Sequence, residues 1–105
     1  MIYNLKITWY REGEQSRTKY EGTMELDSTV DKVRVGKKVE EKIKEGMCIF
    51  GVPEFMYKYV EGTVDLLAGA ICGGLVTTEF QHLCSIASND SGIFQALDFY
   101  ISSTG

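Results

Sequence analysis

The charged residues of this chain are unevenly distributed along its length. The first 46 residues contain ten of the eleven Lys and Arg residues together with nine acids, whereas residues 47–105 contain one Lys and six acids. Between Asp65 and Asp90 the only charged side chain is Glu79. A charge-poor stretch in a small folded chain is normally buried, either in its own core or against a partner. The second half of the chain is therefore expected to supply much of the buried surface.

The length and composition are typical of one globular domain spanning residues 1–105. Hydrophobic residues make up 44% of the chain and charged residues 25%, which is ordinary for a folded protein. The net charge of −4 argues against direct binding to nucleic acid, which depends on clustered Lys and Arg. The basic residues of segment 32–44 alternate with Glu40 and Glu41, so we expect a solvated helix face with ion pairs.

Three sequence features predict a cytoplasmic protein that does not enter membranes. Residues 1–10 alternate polar and apolar side chains, unlike the apolar core of a leader peptide. The longest uncharged run, Leu66–Thr78, is too short to span a bilayer and contains glycines. The three cysteines are odd in number and scattered, which is typical of free thiols in a reducing compartment.

A β-hairpin is predicted at the start of the chain. Apolar and polar residues alternate in Ile2–Tyr10 and again in Thr18–Leu26, which is the pattern of half-buried strands. The intervening segment Arg11–Arg17 is polar and contains a glycine, as hairpin loops commonly do.

A helix is predicted after the hairpin. Ser28 is expected as its N-cap with Asp31 in the first turn, and Gly46 is expected to end it. Gly36 is expected to allow close approach to the sheet. The stripe predicted to pack on the sheet contains Val33, Val35, Val39, Ile43 and Met47.

Segment Glu54–Leu66 is predicted to form a further strand. Within it, Val60–Leu66 repeats the pattern of Tyr20–Leu26, apolar-Glu-Gly-Thr-apolar-acid-Leu. A duplicated strand–helix unit and a chance similarity of two amphipathic strands both explain this echo.

The last third of the chain allows two interpretations. Residues 68–86 are predicted to form a second helix, while 93–101 fits either a helix or a strand. Alternatively, Thr77–Ala87 pairs with the C-terminal segment across Asn89–Gly92. Both interpretations give an α+β fold: an N-terminal antiparallel hairpin, a helix, a further strand and a second helix packed on one sheet.

No catalytic, metal or cofactor site is predicted. His82 is the only histidine, and Cys48, Cys72 and Cys84 do not have the spacing of a zinc knuckle. A cysteine nucleophile with His82 as base is the chemical alternative, but the surrounding sequence is apolar, which disfavours a thiolate.

Two residue sets are predicted to bind partners. If the echo segments lie side by side, their acids form a joint acidic face consisting of Glu21, Glu25, Glu61 and Asp65. A second, apolar set is predicted to bind a partner or to self-associate, and consists of Phe55, Tyr57, Tyr59, Phe99 and Tyr100.

These features favour a non-catalytic protein-binding module over an enzyme. The most specific hypothesis is a small acidic inhibitor, of the type that phages and mobile elements encode, which blocks a larger host protein and forms a homodimer. The alternatives are a structural subunit of an oligomer and a small-molecule-binding protein or enzyme that uses His82 and a cysteine.

Overall fold

The computed structural model describes residues 1–14, 18–89 and 92–104. Its elements in chain order are β1 (Ile2–Arg11), β2 (Thr18–Glu25), α1 (Lys32–Phe50), a 3₁₀ helix (Glu54–Tyr59), α2 (Val60–Cys72), β3 (Gln81–Ser88) and β4 (Gln95–Thr104). The strands form one sheet of order β2-β1-β4-β3, in which every neighbouring pair is antiparallel. The predicted α+β class with its N-terminal hairpin is confirmed.

The two faces of the sheet differ because side chains alternate along each strand. In β1, Tyr3, Leu5 and Ile7 are buried, while Lys6 and Thr8 lie on the opposite side and are partly exposed. The buried side, here called the helix face, packs against the helices. The other side is called the open face.

The uneven charge distribution of the sequence becomes an asymmetry of the molecule. Helix α1 packs against β1 and β2, whereas α2 packs against β3 and alongside α1. The charge-rich first half of the chain therefore forms one side of the molecule, and the charge-poor second half forms the other. None of the helices in the described residues combines the length and apolar character that a membrane span requires.

Both ends of α1 differ from the sequence prediction. The N-cap is Asp31, whose Oδ1 accepts hydrogen bonds from the backbone N–H groups of Val33 and Arg34, at 3.1 and 3.3 Å. Ser28 lies before the helix, where its Oγ accepts from the N–H of Val30. The helix ends at Gly51, whose left-handed conformation (φ 70°) is accessible to glycine without strain.

The two glycines within α1 have roles different from those predicted. Gly46 is an interior residue of the helix, and it provides the close approach to the sheet, against Tyr20 and Ile7. Gly36, predicted to face the sheet, instead faces α2: a Cβ at this position would lie 3.6 Å from Cγ1 of Val64.

The strand predicted for Glu54–Leu66 is wrong, because this segment is helical. Its buried residues are spaced by three or four positions, as in a helix, and they continue through α2: Met56, Val60, Thr63, Leu67 and Ile71. Tyr20–Glu25 is a strand and Val60–Leu66 is part of α2, so the sequence echo does not correspond to a repeated structure.

The helix predicted for 68–86 is correct only up to Cys72. The N–H of Gly73 donates to the carbonyl of Gly69 and Gly74 adopts φ 69°, so the glycine pair ends α2. The alternative prediction is confirmed in substance, because β3 pairs with β4 in an antiparallel arrangement.

Two predicted loops are described only in part. In the turn predicted for 89–92, the N–H of Gly92 donates to the carbonyl of Asn89, while residues 90 and 91 lie outside the described residues. Residues 15–17 of the hairpin loop also lie outside them.

Candidate functional site

The four predicted acidic residues lie on two separate elements of the molecule. Glu21 and Glu25 are exposed on the edge strand β2, whereas Glu61 and Asp65 are exposed on α2, which packs against the opposite edge strand. The joint acidic face predicted from paired echo strands therefore does not form, because Val60–Leu66 is a helix.

Two of these acids are already paired with lysines. Lys19 Nζ lies 3.0 Å from Glu21 Oε1, and Lys32 Nζ lies 3.0 Å from Asp65 Oδ1. Both pairs are well exposed, so each contributes little to stability. The Lys32–Asp65 pair instead connects the two helices across their outer surface.

A groove of about 530 Å³ runs between α1 and α2 where this ion pair lies. It is called the interhelical groove, and its lining residues are Lys32, Val33, Gly36, Glu61, Gly62, Val64, Asp65 and Ala68. A Cβ at Gly62 would meet no atom within 4 Å, so the missing side chain leaves room there for a ligand group. The groove thus contains both acids that α2 contributes to the predicted set.

Apolar side chains are exposed in the groove and at positions close to its lining residues in the chain. Val33, predicted to be part of the stripe packed on the sheet, lines the groove and is 70% exposed. Val30, just before the N-cap, is 90% exposed and does not pack against the helix as a hydrophobic staple would. Leu66 lies one helical turn after Gly62 and is 56% exposed. Apolar side chains this accessible, next to an open groove, are typical of a surface that contacts another molecule.

The predicted apolar set does not form one surface. Phe99 is completely buried in the core. Phe55 and Tyr57 are half-buried against the core, because the segment is a 3₁₀ helix and its aromatic rings do not line up along a strand. Tyr59 remains exposed, and Tyr100 lies on the open face of β4.

Tyr100 belongs to a cluster on the open face that sequence analysis did not anticipate. Lys6 Nζ lies 4.5 Å from the ring centroid of Tyr100 and 4.6 Å from that of Phe80, which gives two cation–π contacts. The ring of His82 lies 5.0 Å from that of Tyr100. These residues come from three strand regions, so only the β1–β4–β3 register brings them together.

His82 also forms a hydrogen-bonded network with Ser85 and Asp98. Its Nε2 lies 2.9 Å from Ser85 Oγ and 3.2 Å from Asp98 Oδ1, and the Ser85 hydroxyl donates to the same carboxylate oxygen. In a catalytic triad the hydroxyl and the carboxylate contact opposite nitrogens of the imidazole. Here both contact Nε2 and the serine proton already points to Asp98, so this geometry is not that of a proton relay.

The histidine and the nearest cysteine in sequence lie on different faces of the sheet. Cys84 lies on the helix face, where burial raises the pKa of its thiol, while a hydrogen bond with Thr63 acts in the opposite direction. His82 lies on the open face, so the structure does not bring this pair together. Within the described residues, no three His, Cys, Asp or Glu side chains are grouped in a way that could hold a metal ion.

No protein-family model, curated protein or solved structure matches this chain. Among the surfaces of the described residues, the interhelical groove combines empty volume, exposed apolar groups and charge.

Proposed function

We propose that this protein is a non-catalytic protein-binding module and that the interhelical groove is its binding surface. The observation that carries the proposal is the composition of the groove. Open space at Gly62, an exposed apolar side chain at Val33 and the carboxylates of Glu61 and Asp65 occur together between two helices. Apolar groups surrounded by charged groups are typical of protein-binding surfaces.

The groove also indicates the chemistry of the partner. Lys32 is paired with Asp65, whereas Glu61 forms no ion pair with the described residues, so the groove has an unbalanced negative charge. A partner segment with an apolar side chain next to a Lys or Arg would fill the space above Gly62 and pair with Glu61. Such charge complementarity contributes mainly to specificity and to the rate of association.

In its most specific form, the proposal is a small acidic inhibitor of the phage or mobile-element type. It would act in the cytoplasm on a larger host protein, one that handles nucleic acids or takes part in defence, without binding nucleic acid itself. The small size, the net charge of −4 and the acidic groove support this form. The proposal also includes a homodimer, which the charge-poor side of the molecule supports.

The groove can be tested by filling it. In Gly62→Leu the added side chain occupies the open space, and the fold is retained because leucine favours helices more than glycine does. Gly69→Leu is the matched control, since Gly69 lies on the same helix with equally open space but outside the groove. Tagged wild-type protein and both variants are used to capture partners from a host lysate, and each captured protein is then titrated in purified form.

We expect a partner that wild type and Gly69→Leu retain and that Gly62→Leu loses, with affinity at least about tenfold weaker. Glu61→Lys should weaken binding of the same partner, and added salt should reduce the difference between wild type and Glu61→Lys. Equal capture by all variants would show that the groove is not the binding surface. Melting curves of the variants exclude unfolding as the cause of a loss.

A further inference from the structure

The two edges of the sheet differ in charge. The edge strand β2 carries three charged residues on its open face: Lys19, Glu21 and Glu25. The other edge strand, β3, has no Asp, Glu, Lys or Arg between Gln81 and Ser88, and its one histidine, His82, precedes segment 84–88. Charged side chains on an edge strand discourage pairing with another chain, and their absence leaves the edge available. Within the described residues, β3 is paired on one side only, with β4.

The second half of β3 has the regular geometry that strand pairing requires. An irregularity between His82 and Cys84 interrupts the ladder, after which the register with β4 is continuous from Cys84 to Ser88. The irregularity disrupts the hydrogen-bonding pattern at the start of the strand, so pairing with another strand is limited to segment 84–88. On the open face the side chains here are the small, exposed Ser85 and Ala87, which leave the backbone accessible.

We propose that β3 is the self-association edge and that two copies pair through it in an antiparallel arrangement to form one continuous eight-stranded sheet. This inference rests on the homodimer of the proposed function and names the surface that forms it. When two copies pair about a two-fold axis, each residue of β3 in one copy faces a residue of β3 in the other copy. A charged residue at the centre of the strand would therefore face the same charge in the second copy. Segment 84–88 satisfies this requirement, since it is uncharged throughout.

Exposed apolar side chains accompany this edge. The connection that leads from α2 into β3 exposes Leu75, of which 69% is accessible. Tyr59, 38% exposed, belongs to the 3₁₀ helix that packs against β3. These groups add apolar surface to the backbone hydrogen bonds of a paired edge. The absence of Asp, Glu, Lys and Arg from the strand favours a second copy as the occupant, because two identical strands can then pair without like charges facing each other.

Placing one charge on each edge tests this assignment. Ala87→Lys adds a cation to the exposed open face of β3, and Thr23→Lys adds the same charge at an exposed open-face position of β2. Light scattering coupled to size exclusion is recorded over a dilution series for wild type and both variants. We expect a wild-type dimer, a dissociation constant at least about tenfold higher for Ala87→Lys, and no change for Thr23→Lys.

Hydrogen exchange of the wild-type protein gives a second measurement that does not depend on how the variant folds. Amides in 84–88 should exchange more slowly at dimer concentrations than at monomer concentrations, while those of β2 should not change. A wild-type monomer at every concentration would overturn the inference, and so would a dimer that both lysine variants weaken equally. Neither result affects the interhelical groove, which the Gly62→Leu experiment tests separately.

Discussion

Gly46 illustrates how a single residue determines the distance between α1 and the sheet. A Cβ at this position would lie 2.7 Å from Cδ1 of Tyr20 and 2.9 Å from Cδ1 of Ile7, closer than real side chains approach each other. The absence of a side chain therefore lets the helix pack directly on the rings and methyl groups of β1 and β2. The sequence predicted such a contact within this helix but assigned it to Gly36.

Gly46→Ala should lower the free energy of unfolding even though alanine favours helices. Overpacking of this kind costs about 1–3 kcal/mol, and the gain in helix propensity returns about 1 kcal/mol. Gly69→Ala, in open space on α2, should stabilise the protein by up to about 1 kcal/mol. Urea unfolding of both variants measures the difference. Equal stabilisation by both would mean that α1 does not approach the sheet this closely.

At the scale of the element, the start of α1 shows how capping depends on side-chain geometry. Ser28 and Asp31 both satisfy the sequence preference for an N-cap, and they lie three residues apart. Asp31 accepts two backbone N–H groups of the first turn, whereas Ser28 accepts one N–H before the helix begins. The helix therefore begins at Lys32, where the capping carboxylate is positioned.

Asp31→Ala should destabilise the protein by about 1 kcal/mol, because two amides of the first turn lose their acceptor. Ser28→Ala should cost much less, since its hydrogen bond lies outside the helix. Thermal and urea unfolding of the two variants at neutral pH checks the order. If Ser28→Ala proved the more damaging, the helix would begin three residues earlier, as the sequence alone suggested.

At the scale of the whole molecule, Tyr20 connects the sheet layer to the helix layer at the charge-rich side. Its hydroxyl donates to Glu45 Oε2 at 3.1 Å, and its ring packs edge-on against Phe50. Burial, followed by the hydrogen bond to Glu45 and the negative charge of that residue, raises the pKa of Tyr20 to about 12. The pKa of Glu45 is lowered, chiefly by its hydrogen bond with Lys42 and then by that with Tyr20.

The contact between Tyr20 and Glu45 should make the free energy of unfolding fall at high pH. Below pH 10 Tyr20 is protonated in both the folded and the unfolded chain, so its contribution is fully present. Between pH 10 and pH 12 the unfolded chain ionises first, and the contribution is lost. Because the side chain is partly exposed, we expect a loss of about 1 kcal/mol.

Tyr20→Phe keeps the ring and removes the titrating group, so it isolates this contribution. Its unfolding free energy, measured in urea at pH 9, 10 and 11, should fall less steeply than that of wild type. The other ionisable groups are common to both proteins, so their contributions cancel in the comparison. Parallel pH profiles would show that Tyr20 is not held against Glu45.

Part of the candidate site was accessible from the sequence. Glu61 and Asp65 are exposed, but they lie on a helix and not on the predicted strand. The partner-binding set to which they were assigned stays a proposal, and their neighbours were not identified. The interhelical groove exists only because α1 and α2 lie side by side, and its other lining residues include Gly36, Gly62 and Val33. A local sequence pattern does not show which face of one helix packs against another helix. The aromatic and histidine cluster of the open face was missed for a similar reason, since it depends on strand register.

The sequence by itself determined the hairpin and the α+β class. Alternation of apolar and polar residues in β1 and β2 is a local signal, and the two strands are adjacent in the chain. Only the tertiary structure decided the form of Val60–Leu66, which matches Tyr20–Leu26 in pattern and still becomes a helix. The tertiary structure also determined that Gln81–Ser88 forms the strand β3, because this strand is stable only when β4 supplies its hydrogen-bonding partners. Short apolar segments satisfy either periodicity, so their form depends on which distant surface buries them.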